Sequence, residues 1–410
     1  MNSLSSNSAN FFNFASMVAY VVLFPGFIFY QYSVAAGWTT PFAGGLFGFA
    51  SVFFSFISVI YLLSADLKHT TLSIIETVFP LFLLYLVLWT VFSSFSILGE
   101  SYATLALKES FATIVIWLSA FYVGVQFPLN NHRFRLIQAI LILVILACVL
   151  HSMLIHHSFL GLFSMFSGGN EDTKAVATYQ GIGRSLVVMA VLTMALTNRL
   201  FFQIVIISVA ITILLALGSR AHLIVMTLLL VIHLVIYSTR KHNIRTSILF
   251  LIILPIVAYS AISVLLETRA AEIFDLSHSM SWQARITAHY EALEVIGANP
   301  LIGRFGYYLG DSSGYAHNVL SAWTEYGFFG FIIFIGLMLY ALFLSGYYVI
   351  FKRNDSTHWQ IAFHFNFIAL FLAVTTEPIL ASVFPALGWG FTVQAIRQTM
   401  RSRTFFRTTA

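Results

Sequence analysis

The chain has 410 residues, of which 59% are hydrophobic and 9% charged, with a formal net charge of +5 and a mean hydropathy of +0.90. Soluble domains run near a quarter charged, so a water-exposed surface cannot be built from this composition. The single cysteine, Cys148, excludes an intrachain disulfide.

An uncharged Asn/Ser-rich tail, Met1 to Asn10, has neither a basic n-region nor a small-residue cleavage site. The first apolar run, 11–32, therefore reads as a retained span and not as a signal peptide. Runs long enough to cross a ~30 Å hydrocarbon core follow at 41–63, 73–98, 110–128, 135–156, 184–197, 200–217, 221–238, 246–266, 328–351, 358–375 and 379–395. They predict an all-α polytopic bundle of twelve spans, one integral membrane domain over 1–410. Barrel strands are excluded because the runs are apolar throughout and lack alternation.

Basic residues orient the chain, since short cytoplasmic loops hold Lys and Arg in excess. Arg240, Lys241 and Arg245 place the connection after the eighth span inside, and alternation fixes the rest. Of the 20 Lys and Arg residues, thirteen then fall inside and seven outside: Lys108, Lys174, Arg184, Arg220, Arg269, Arg285 and Arg304. Both termini are expected in the cytoplasm, and the positive balance is a topological signal, not a nucleic-acid footprint.

Two connections are long, 157–183 and 267–316, and both are expected outside, where long loops usually carry function. The second contains a helical pattern over Ser281–Ile296, with Trp282, Ile286, Leu293 and Ile296 on one face, stopped by Gly297 and Asn299-Pro300. Gly303, Gly306, Gly310 and Gly314 then alternate with Phe305, Tyr307, Tyr308 and Tyr315. This stretch reads either as a surface for sugar rings or, the better expectation near a membrane, as an interfacial aromatic belt.

Candidate chemistry gathers on the same side. Arg220 follows Gly218-Ser219 at the start of a span. There Ser219 can cap the helix, and the helix N-terminus with a guanidinium makes a phosphate site; a snorkelling anchor is the alternative. Arg285 lies one turn before His289 on the loop helix, where a second guanidinium suits a diphosphate or simply faces solvent. His317-Asn318 leads into Ser321, Glu325, Gly327 and Gly330. At helical spacing His317, Ser321 and Glu325 share a face, setting an imidazole suited to removing a hydroxyl proton beside a carboxylate. Arg184 follows Gly181 and Gly183, glycines that permit close backbone approach. His151, His233 and His364 lie within spans and read as interhelical contacts, not metal ligands. Glu76 opens the third span; an acid deep in a hydrated cavity there would speak for a transporter.

Taken in order, these features resemble the O-antigen ligase and O-antigen polymerase superfamily of bacterial membrane glycosyltransferases. The resemblance covers roughly 180–350 and rests on Ser219-Arg220, the large late loop, Arg285 followed by Asn299-Pro300-Leu-Ile-Gly303, and His317-Asn318 leading to Gly327 and Gly330. It implies transfer of an undecaprenyl-diphosphate-linked glycan at the periplasmic face of the cytoplasmic membrane, with neither cofactor nor metal. The acceptor is another lipid-linked glycan in a polymerase and a lipid A core in a ligase, with a flippase and a chain-length regulator as partners. Carried over, Arg220 and Arg285 hold the diphosphate and His317 acts on the acceptor hydroxyl, with Arg184 and Asn318 as further substrate contacts. The aromatic loop tilts the reading towards a repeat-unit polymerase. On this reading Arg220, Arg285 and His317 converge on one cavity.

Overall fold

The computed structural model describes residues 2–40, 46–66, 73–129, 132–157, 178–197, 199–241, 280–309, 316–353, 356–379 and 382–408. Among them regular structure is helical throughout, with no strand. The helices are α1 (Asn2–Val21), α2 (Phe27–Ala35), α3 (Leu46–Asp66), α4 (Ile74–Ser94), α5 (Ala103–Gln126), α6 (His132–His156) and α7 (Tyr179–Ala195), then α8 (Leu200–Ala216), α9 (Arg220–Lys241), α10 (Met280–Ala298), α11 (Leu320–Gly346), α12 (Thr357–Thr375) and α13 (Phe384–Thr408). The protein is an all-α membrane protein.

Seven helical segments among the described residues are long and apolar enough to cross a membrane: Asn10–Ala35, Ile74–Ile97, Ala103–Gln126, Phe134–His156, Arg220–Ser238, Leu320–Phe351 and Thr357–Thr375. That is fewer than the twelve expected. Gly48–Leu63, Tyr179–Ala195 and Leu200–Ala216 are apolar but shorter; at 1.5 Å per residue a 17-residue helix rises about 26 Å, less than the ~30 Å core. The last expected span starts at Phe384 and runs on into an arginine-bearing end. The expected span 246–266, most of the loop 157–183, and 267–279 and 310–315 of the late loop lie outside the described residues.

The chain forms two compact units, the first made of Met1–Ala50 and Phe127–Asp275, the second of Ser51–Gln126 and Leu276–Ala410. In the first, α1 passes into α2 through a π-helical turn, Val22–Gly26, that contains Pro25, a frequent cause of such irregularity. Tyr20 donates to Gln138 Oε1 on α6 (2.8 Å), and α7 approaches α2 so closely that a Cβ on Gly181 would meet Phe27 and Gln31 at 3.0–3.1 Å. In the second, α5 and α13 touch backbone to backbone: a Cβ on Gly124 would lie 2.8 Å from Leu387 O. Trp117 stacks on Phe334 and meets Trp389 edge-on, and its indole donates to Ser382 O (2.7 Å), so this large aromatic is buried with its polar atom satisfied.

Glu76 lies in the first turn of α4, with its carboxylate partnered. It forms a capping box with Ser73 at the start of α4 and an ion pair with Arg397, which also contacts Tyr61. At the opposite end of α4, a small apolar cluster of Ile97, Ala106 and Phe305 gathers the α4–α5 connection and the late-loop segment after α10. The α12–α13 connection joins the same head of α11, where Ile379 N donates to Ser321 Oγ (2.8 Å). Three connections that alternation assigns to one side thus meet at one end of this unit.

Candidate functional site

Residues 280–309 of the expected late loop are described, and they begin with a helix. Helix α10 covers the expected Ser281–Ile296 and ends at Ala298, just before Asn299-Pro300. The following segment docks onto a break in α11. At Gly327 the backbone takes φ 68° and ψ −178°, a region essentially confined to glycine. Backbone bonds cross the break in both directions, from Arg304 N to Thr324 O (2.8 Å) and from Phe328 N to Leu301 O (3.0 Å). Gly303, also at positive φ, lets its backbone press on the carbonyls of Trp323 and Thr324, and a Cβ on Gly327 would lie 2.5 Å from Leu301 O. The carbonyls of Glu325 and Tyr326 freed by the break accept from Trp89 Nε1 (3.0 Å) and Tyr85 Oη (2.6 Å) on α4. The Asn-Pro-x-x-Gly and Gly-x-x-Gly motifs are therefore two halves of one backbone interlock.

This interlock presents His317 and Asn318 ahead of α11. The Asn318 amide is fixed at both ends: its Oδ1 accepts from Leu320 N (2.9 Å), so its Nδ2 faces His289 Nδ1 on α10 (3.0 Å). An amide nitrogen only donates, so His289 Nδ1 accepts and its ring proton is on Nε2. Arg285, one turn earlier on α10, lies close enough to act on His317. Burial first, and the Arg285 charge second, lower the His317 pKa from 6.5 to about 4, the effects of desolvation and of a like charge on a cationic acid. Asn318, His317, Arg285 and His289 thus form one cluster.

The expected carboxylate beside His317 is absent from it. Residue 317 precedes the helix instead of sharing its face. Ser321 Oγ donates to Asn318 O (2.8 Å) and accepts from Ile379 N. Glu325 turns inward, where its Oε2 accepts from Gly306 N (2.9 Å), and Glu109 on α5 accepts from Tyr308 Oη (2.5 Å). Phe305, Tyr307 and Tyr308 are buried, so they pack the loop against the bundle and do not line a path for sugars. Tyr307 Oη accepts from Ala316 N (3.2 Å), bracing the residue before His317, and burial raises its pKa to about 12.

In the first unit, α7 and α9 meet near their N-terminal ends. A Cβ on Gly183 would lie 2.6 Å from Ser219 Oγ and 3.1 Å from His222 Nδ1, so the glycine permits the close approach its position suggests. Ser219 Oγ and His222 Nδ1 share a hydrogen bond (2.9 Å), where the sequence predicts a helix cap. Arg184 and Arg220 follow Gly183 and Ser219 directly, both half-buried, so the two guanidiniums start from adjoining backbones. His222, His289 and the buried Glu377, two residues before Ile379, are additions to the expected set. Only His289, one turn after Arg285, carried a sequence signal of its place. His151 pairs with Tyr32 Oη (2.5 Å) and His233 with Gln203 (2.9 Å), the interhelical contacts expected of them. No group of three or more metal-ligating side chains occurs among the described residues.

No family model, curated protein or solved structure matches this chain.

Proposed function

We propose that the protein is a membrane glycosyltransferase that takes its glycan from an undecaprenyl-diphosphate carrier, and that it joins surface-polysaccharide repeat units as a polymerase. The observation that carries this reading is the His317–Asn318 head of α11 set against Arg285 and His289 of α10. An imidazole kept neutral at pH 7 is free to accept a proton, and a guanidinium beside it suits an oxyanion. In the proposed reaction His317 takes the proton of the acceptor hydroxyl while its oxygen bonds to the anomeric carbon of the donor. The bond from that carbon to the diphosphate breaks, and undecaprenyl diphosphate departs with the electron pair. Arg285 stabilises the leaving group electrostatically. Binding an anion also offsets the charge that depresses His317, so the imidazole becomes a stronger base when the donor arrives. In the first unit Arg184 and Arg220 follow two residues in close approach, Gly183 and Ser219, and the resemblance makes both of them proposed phosphate-binding residues.

The proposal includes the topology expected from the basic residues: twelve spans, both termini in the cytoplasm and the chemistry at the periplasmic face of the inner membrane. Support for an enzyme over a transporter comes from Glu76, an ion-paired helix start. Phe305, Tyr307 and Tyr308 are packed inside, which removes the aromatic-loop argument for polymerase, and the resemblance covers polymerase and ligase alike, so the choice of polymerase is one for experiment. A lipopolysaccharide gel of a deletion strain complemented with wild type, His317→Ala or Arg285→Ala tests both levels. A core-plus-one-unit band without a ladder means polymerase; loss of capped core with lipid-linked polymer accumulating means ligase. Unchanged glycan with well-expressed variants overturns the reading.

A further inference from the structure

Helix α10 has three faces, although its sequence suggests two. At 3.6 residues per turn, Ala288, Ala292 and Arg285 point to one side, and the two alanines are fully buried. Gln283, Thr287 and Glu294 form an exposed polar edge on another. Between them runs an exposed apolar edge: Ile286, Tyr290 and Leu293 are 42%, 63% and 44% exposed. Just past the end of the helix, Leu301 and Ile302 are likewise apolar and exposed, at 64% and 59%. Their backbone is pinned at the α11 break, since a Cβ on Gly327 would lie 3.2 Å from Ile302 Cα. Immediately below the break, Phe329 and Ile332 stand 61% and 47% exposed on a helix long and apolar enough to cross a membrane. An apolar surface of this kind is unfavourable in water, and here it adjoins exposed apolar residues of a helix long and apolar enough to cross a membrane.

We infer that α10 lies in the membrane interface, with the Ile286–Tyr290–Leu293 edge and Leu301–Ile302 inserted among lipid acyl chains. Its polar edge then faces water and its alanine face the bundle, the arrangement of an interfacial amphipathic helix. Arg285 and His289 sit where the bundle and lipid faces adjoin, so the cluster they form opens at headgroup level. The inference stands independently of the proposed reaction.

The test places single cysteines at Ile286, Leu293 and Leu301, and at Gln283 and Glu294 as controls, in full-length protein carrying Cys148→Ser. Each is labelled with an environment-sensitive nitrobenzoxadiazole probe and reconstituted in phosphatidylethanolamine/phosphatidylglycerol vesicles containing doxyl-labelled phosphatidylcholine. Should Cys148→Ser lower the melting temperature, the same positions are labelled with Cys148 retained, since that thiol is buried. Positions 286, 293 and 301 are expected to give blue-shifted emission that doxyl lipid quenches and aqueous iodide does not, with the reverse at 283 and 294. Equal iodide quenching at all five positions overturns the inference, because the helix is then in water. Shielding of 286 and 293 from both quenchers also overturns it, because protein and not lipid then covers the edge.

Discussion

Replacing Arg285 by glutamine removes the smaller of the two causes that hold His317 near pKa 4. The imidazole should then titrate at a higher pH. Burial is the larger cause and remains, so the rise should be less than half of the interval between about 4 and 6.5. The sign for stability follows from linkage. In the unfolded chain the histidine binds its proton near pH 6.5, whereas in the fold it resists protonation to about 4. The contribution is complete above 6.5 and lost as pH falls from 6.5 towards 4. The full interval is worth about 3 kcal/mol at 1.36 kcal/mol per pH unit; His317 is only half-buried, and solvent screening leaves on the order of 1–2 kcal/mol. The assay is thermal unfolding of the purified protein in detergent between pH 7.5 and 4 for wild type, Arg285→Gln and His317→Asn. Wild type should lose stability over this range more steeply than His317→Asn, and the Arg285→Gln loss should be smaller than that of wild type. Identical acid slopes in wild type and His317→Asn would refute the argument.

Gly327→Ala should cost about 1–3 kcal/mol for the backbone conformation alone, before the clash with Leu301 O is counted; a melting temperature within error of wild type would show that the interlock yields freely. Asn318→Ala removes two hydrogen bonds at about 0.5–1.5 kcal/mol each and should lower stability and, under the proposed function, transfer as well. Asn318→Asp keeps the acceptor for Leu320 N but requires the His289 proton on Nδ1, so it should depress transfer more than melting, which parallel measurements on the two variants would detect. Arg397→Ala leaves the Glu76 carboxylate stranded but for its capping-box bond from Ser73 N and should cost about 1–3 kcal/mol. Recovery of the melting temperature in Glu76→Gln combined with Arg397→Ala would identify the stranded charge as the cause, and no recovery would argue against it.

Much of the architecture is legible without coordinates because lipid imposes a simple rule: backbone polar groups must be satisfied within a helix, so long apolar runs declare themselves. The bounds of α10 were equally plain, since Asn299-Pro300 cannot continue a helix. The apolar face of α10 was legible too, but not its direction. The wheel reads Trp282, Ile286, Leu293 and Ile296 as a face, while burial goes to Ala288 and Ala292, whose small side chains permit a close approach to the bundle. Glycine spacing marked Gly303 and Gly327 without showing that they press on each other's segments, a matter of two chain regions meeting. His317 was recognisable as a candidate, yet its neighbour proved to be Arg285 and not Glu325, because residue 317 lies ahead of the helix and Glu325 turns towards Gly306. Composition and periodicity fixed what must be apolar and helical. Only tertiary structure decided which side chains meet, because long-range pairing depends on how far each backbone can approach the next.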